Sequence, residues 1–205
     1  MTGTTETTET TDTIDFAPQT RLVARLAEHV RDDQLGGPTP CVPMAVRDLL
    51  GHIVGLTAAF RDAARKDLGP STDTDPNLTP PDVAANWRDI LPRQLAELAD
   101  AWRDPKAWVG DTRAGGVDLP AAVAGQVAMN ELVVHGWDLA RATGQAYAPD
   151  PASLRVAYEL LAVTPDGPER EGMFGPIVAV PDDAPLLDRV VGLSGRRPDW
   201  SAERG

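Results

Sequence analysis

Apolar residues recur at intervals of three and four through most of this chain, the repeat of amphipathic helices rather than of strands. Leu22, Val23, Leu26 and Val30 share one stripe and predict a helix over about residues 15–32. Gly and Pro in QLGGPTPCVP break it. Leu49, Ile53, Leu56 and Phe60 predict a second helix over about residues 44–66, and the turn formers of LGPSTDTDPNLTPP predict a loop after it. Val83, Trp87, Ile90, Leu95, Leu98 and Trp102 predict a third helix over about residues 82–103, stopped by Asp104-Pro105. Residues 106–119 show no period and carry two adjacent glycines. Pro120 suits the first position of a fourth helix that runs to about residue 142, with Gly144 as its stop. A fifth helix is expected over residues 151–163, then a short extended piece IVAV and a small helix near residues 185–193. Four long helices with these connections predict an all-α four-helix bundle with a short C-terminal appendage.

The length of 205 residues suits one sizeable core, and 42% hydrophobic with 24% charged residues is ordinary for a soluble globular protein. The formal net charge is -12, and no Lys/Arg cluster interrupts it. That balance argues against nucleic acid and anionic membranes as partners and favours the cytoplasm. Cys41 is the only cysteine, which excludes an internal disulfide and a thiolate metal cluster. No stretch is apolar enough to cross a bilayer. The opening MTGTTETTETTDT lacks the basic start and apolar run of a signal peptide. Residues 1–14 are expected to be a disordered Thr/Glu-rich tail, and residues 15–205 one helical unit acting as a monomer or homodimer.

Three polar residues interrupt the apolar stripes. His52 lies among Leu49, Ile53 and Leu56 on the second helix. On the fourth, Ala124, Ala128, Leu132, His135 and Leu139 mark the stripe, and Glu131 lies beside it, one turn before His135. Neighbouring helices of a bundle lie about 8–10 Å apart, so one ion can bridge His52 and the Glu131/His135 pair. Imidazole and carboxylate suit Zn, Fe(II), Mn or Ni, and three protein ligands leave a position open for water or substrate. Each residue also has a structural reading. A buried histidine is commonly a hydrogen-bonded core residue, and Glu-x3-His is a common helix pair.

The strings TPCVPMAVRDLLGHIVGL, ELVVHGWDLARATGQ and FGPIVAVPDDAPLLDRVVGLSGRRPDW together resemble the short actinobacterial metal-binding proteins related to mycothiol-dependent maleylpyruvate isomerase, within the DinB-like superfamily of four-helix bundles. The resemblance covers about residues 16–200. It implies His52, Glu131 and His135 as ligands of a divalent ion, usually zinc, and mycothiol as a thiol cofactor. It also implies thiol-assisted isomerisation or S-transfer on a small-molecule substrate. The family pattern TPCPGWTVRDLL reads TPCVPMAVRDLL here. Met44 replaces a Trp and Ala45 a helix-capping Thr, and Pro43 is expected to offset the lost cap by starting the helix earlier. The maleylpyruvate isomerases carry a further C-terminal domain with a substrate-contacting arginine, for which this chain is too short. Maleylpyruvate is therefore not the expected substrate.

Other polar residues have plainer readings. Asp138 can orient His135 or pair with Arg141 at the surface, and the surface pair is the expectation. Asp48 complements the dipole at the start of its helix. Cys41 shows no base beside it in sequence, and His29 reads as structural. Trp87, Trp102 and Trp137 are expected in the core or a pocket wall. The leading function is a divalent-metal-dependent enzyme of small-molecule thiol chemistry. The alternatives are a biosynthetic enzyme using the ion as a Lewis acid without thiol, and a non-catalytic metal- or ligand-binding protein.

Overall fold

The computed structural model describes residues 13–75, 83, 85–167, 170 and 174–202. Of the expected tail, all but Thr13 and Ile14 lies outside the described residues. The first helix, α1 (Ala17–Glu28), turns Val23, Leu26 and Ala27 inward. It ends four residues before the expected boundary. The side chain of Gln34 accepts a hydrogen bond from the Arg31 N–H (3.0 Å), and a 3-10 turn over Asp32–Gln34 replaces the last helical turn. Polar side chains that bond nearby backbone compete in this way with helix continuation.

Helix α2 (Val46–Arg65) starts later than the sequence suggests. Ala45 is extended, and Pro43 and Met44 precede the helix, so Pro43 does not start it. The Asp48 carboxylate does the capping instead, accepting a hydrogen bond from the Ala45 N–H at 2.9 Å. It supplies the reciprocal half of a capping box and sits well in the helix dipole. Asp48→Ala is therefore expected to cost about 0.5–1 kcal/mol, read as a lower denaturation midpoint with an unchanged slope. A four-residue helix, α3 (Pro70–Asp73), stands in the stretch expected to be loop.

Helix α4 (Trp87–Ala101) points Trp87, Leu91, Leu95 and Leu98 into the core. Leu91 takes the fully buried place assigned to Ile90, which stands at the flank. Residues 83, 85 and 86 lie outside the helix, so it begins later than the expected start at residue 82. Trp102, just past its end, is fully buried and stacks on Phe16 with ring centroids 5.6 Å apart.

The aperiodic stretch forms a hairpin, β1 (Asp111–Ala114) against β2 (Val117–Pro120). Gly115 and Gly116 supply the two left-handed positions (φ 60° and 77°) that a two-residue hairpin turn requires. Pro120 is the last residue of β2, so helix α5 (Ala121–Thr143) begins one position later than expected. It stops at Gly144 as the sequence indicates. α5 is buried on nearly all sides. In the bundle α1 packs on α4 and α5, and α2 packs on the same two helices. α6 (Pro151–Ala162) covers the outside of α5, and α7 (Leu186–Leu193) packs on α6. The IVAV piece forms no ladder. It is tied by the Val178 N–H to the Gly192 carbonyl at 3.0 Å and by the Ile177 N–H to Asp166 Oδ1 at 3.3 Å. The result is a four-helix bundle with a C-terminal appendage, and no described helix is long and apolar enough to cross a membrane.

Candidate metal centre

The apolar stripe of α2 carries His52 to the α2–α5 interface, and α5 brings Glu131 and His135 to meet it from the other side. One carboxylate oxygen is the hub. Glu131 Oε2 lies 3.1 Å from His135 Nε2 and 3.5 Å from His52 Nε2. The two imidazoles stand edge to face with centroids 4.7 Å apart. Both are buried, whereas the Glu131 side chain keeps 21% of its surface exposed, so the cluster opens to solvent on the carboxylate side.

Asp138 orients His135. Its carboxylate is fully buried, and Oδ2 accepts from His135 Nδ1 at 3.0 Å. That bond leaves Nε2 facing Glu131. Asp138 does not pair with Arg141 at the surface, contrary to the sequence expectation. Arg141 instead donates to the Trp200 carbonyl and lies over the Trp137 ring. The partner of Asp138 is Arg196, in the segment after α7, with Nη2–Oδ2 at 3.1 Å and Nε–Oδ1 at 3.4 Å. The same Nη2 also donates to Cys41 Sγ at 3.3 Å. Sequence reasoning missed Arg196, which lies 58 residues from Asp138 and 155 from Cys41.

Burial works to lower the His135 pKa, but the hydrogen bonds and charges of Asp138 and Glu131 outweigh it and push the ring up to about 9. Burial likewise works to raise Glu131, and His135 with His52 outweighs it, holding the carboxyl well below the usual range. The cluster thus pairs a carboxylate with a proton on Nε2. A proton and a divalent cation compete for that place. Burial pushes the Cys41 thiol up to about 11; Arg196 draws it partly back, while the charges on Asp138 and Glu131 push it further. Cys41 is therefore a neutral thiol near pH 7, and weakly nucleophilic.

The donor chemistry fits a divalent ion. Bonds of about 2.0–2.1 Å in a tetrahedron put the ligand atoms about 3.3–3.4 Å apart, and the two measured edges at Glu131 are 3.1 and 3.5 Å. A second set, Cys41, His135 and Asp138, also gathers its ligand atoms within 4.8 Å, and it shares His135 with the first. Here the guanidinium of Arg196 already contacts two of the three members. His29 takes no part in either set. It donates from Nδ1 to the Arg25 carbonyl at 2.7 Å, as its structural reading expects. Trp87, Trp102 and Trp137 are buried in the core.

The stretch of α5 between Glu131 and His135 is also held from outside the helix. Gln19 of α1 donates to the Leu132 carbonyl (3.0 Å) and to Tyr147 Oη (2.8 Å), and Tyr147 donates to the Val133 carbonyl (2.7 Å).

The chain resembles an uncharacterized protein found in two strains of Mycobacterium tuberculosis. It is 29% identical over 178 residues, covering 84% of this chain and 91% of that one. In structure it resembles the crystal structure of a mycothiol-dependent maleylpyruvate isomerase, with a TM-score of 0.53 and 17% identity. A single-site histidine-to-alanine mutant of that isomerase gives a TM-score of 0.54 and 16% identity. Each of these two alignments covers 71% of this chain and 66% of the isomerase, so the chain spans about two thirds of that enzyme's length. This similarity shows that the present bundle shares its helical fold with that isomerase. Residues 16–140 match the family described as the mycothiol maleylpyruvate isomerase N-terminal domain. That match takes in α1 to α4, most of α5 and all three clustered residues, and the chain belongs to this family.

Proposed function

We propose that His52, Glu131 and His135 hold a divalent ion, zinc first among the candidates, and that the protein is an enzyme of mycothiol-dependent isomerase or S-transferase type. The observation that carries this reading is the convergence of two imidazole Nε2 atoms on one Glu131 oxygen, at 3.1 and 3.5 Å, on the solvent-open side of a buried cluster. An ion bound by two imidazoles and a carboxylate stabilises the anionic form of a thiol brought to its open position. The chain's own residues do the rest. Asp138 keeps the His135 ring turned with Nε2 toward Glu131. Glu131 offsets the positive charge gathered between the two rings, and burial of both rings between α2 and α5 limits their contact with water. Because burial keeps Cys41 protonated, the chain supplies no thiolate of its own, which favours a thiol from solution. The substrate class is a small electrophile.

The test is elemental analysis of protein purified without chelator, followed by assay of a small unsaturated acid with and without mycothiol. The expected results are close to one divalent ion per chain, loss of that ion in His52→Ala, and turnover only with thiol. An ion-free wild type, or His52→Ala with wild-type metal content, removes the reading. Turnover without thiol returns the site to Lewis-acid chemistry.

A further inference from the structure

Two ligand sets overlap at His135, and the fold must favour one of them. The first is His52/Glu131/His135 and the second Cys41/His135/Asp138, each with its donor atoms within 4.8 Å of one another. On donor chemistry alone the second set is the more attractive to zinc, because it exchanges the neutral imidazole of His52 for a thiolate, a softer ligand that carries negative charge. What separates them is Arg196. Its side chain is 10% exposed, and it reaches into the second set from the C-terminal segment, outside the residues matched to the family domain. Nη2 donates to Asp138 Oδ2 and also to Cys41 Sγ, while Nη1 is tied to the Ser194 carbonyl at 2.8 Å.

Resting on the metal-centre reading above, we propose that Arg196 is a positioning residue that decides which set takes the ion, holding Asp138 on His135 and Cys41 off the metal. The fixed cation does this in two ways. It occupies lone pairs on Asp138 and Cys41 that a metal would need. It also places a permanent positive charge in hydrogen-bonding reach of both, so that a dication in the second set meets direct repulsion. Asp138 is then engaged by His135 and Arg196 rather than by an ion, and the ion goes to the set that contains Glu131. With Arg196 absent, Asp138 and Cys41 become a free carboxylate and thiol beside His135. A cation entering there displaces the thiol proton to solvent and gains a sulfur ligand.

The test uses cobalt(II) as the probe, because a cobalt–thiolate bond announces itself by a charge-transfer band in the near ultraviolet. Wild type, Arg196→Gln, Arg196→Lys and the double variant Arg196→Gln with Cys41→Ser are each loaded with cobalt(II), with circular dichroism as a check on folding. Wild type is expected to bind cobalt without the thiolate band. The band is expected in Arg196→Gln, absent from the double variant, and absent or much reduced in Arg196→Lys, which keeps the charge. A purely structural arginine has no means of producing a sulfur-dependent band. Arg196→Gln that binds cobalt to the wild-type stoichiometry without the band overturns the proposal and leaves the metal centre standing. A thiolate band in wild type does the same. Wild type that binds no cobalt removes the metal centre, and the proposal with it.

Should Arg196→Gln fail to fold, the wild type alone decides through the reaction of Cys41 with a thiol reagent. Metal loading is expected to leave that reaction as fast or faster. Protection of Cys41 by the metal overturns the proposal.

Discussion

Asp138→Ala is expected to lower folding stability by about 3–5 kcal/mol, the scale on which removing one partner of a buried ion pair leaves the other charge uncompensated. The Asp138 side chain has no exposed surface, and the Arg196 side chain that faces it has 10%. Without the carboxylate, a guanidinium that cannot deprotonate stays buried with the Ser194 carbonyl and the Cys41 sulfur as its acceptors. His135 loses its Nδ1 acceptor at the same time, and the loss of such a partner weakens metal binding about 10–100-fold. Asp138→Asn separates the two effects. Its amide oxygen still accepts from His135 Nδ1, but the charge opposite Arg196 is gone. Chemical denaturation of metal-free protein reads the first effect, and competition against a chromophoric chelator reads the second. An alanine variant within about 0.5 kcal/mol of wild type, the range of an ordinary surface substitution, sinks the prediction.

Gly195→Ala is the second large effect, and it acts one residue from Arg196. Gly195 has φ +83°, and a Cβ there would stand 2.7 Å from Gly175 Cα and 2.9 Å from Gly175 N. The left-handed conformation costs a residue with a side chain about 1–2 kcal/mol. Forcing apart two backbones in contact adds about 1–3 kcal/mol. A total of about 2–5 kcal/mol is expected, together with displacement of the Arg196 side chain. Gly175→Ala is the control, because its Cβ would meet Gly195 atoms at 3.5 Å, an ordinary contact. Equal losses in the two variants, measured by denaturation, would show that the asymmetry of this crossing is unimportant.

The sequence makes the bundle legible because α1, α2, α4 and α5 carry long, regular apolar stripes, and Gly144 marks the stop of α5. The hairpin was hidden for a physical reason. Its strands are four residues each, and in β1 only Thr112 is buried, so no alternation can build up. Only the paired glycines hinted at it. The cluster of His52, Glu131 and His135 was visible because each breaks a stripe. Asp138 was misread because helical spacing offers it His135 and Arg141 equally, at three residues on either side. Its total burial and its distant partner decide between them, and Arg196 is a contact that no local pattern encodes.

On the metal-centre reading proposed above, the bonds from Gln19 and Tyr147 to the carbonyls of Leu132 and Val133 bear on ion selectivity. They brace the helical turn that spaces Glu131 from His135, so these donors have little freedom to spread around a larger guest. Zinc, with bonds of about 2.0–2.1 Å, matches the spacing already present. Calcium asks for about 2.3–2.6 Å and 6–8 oxygen ligands, which would require the turn to open against its bracing. Discrimination by size would then rest on an amide and a phenol bonded to the backbone carbonyls of that turn.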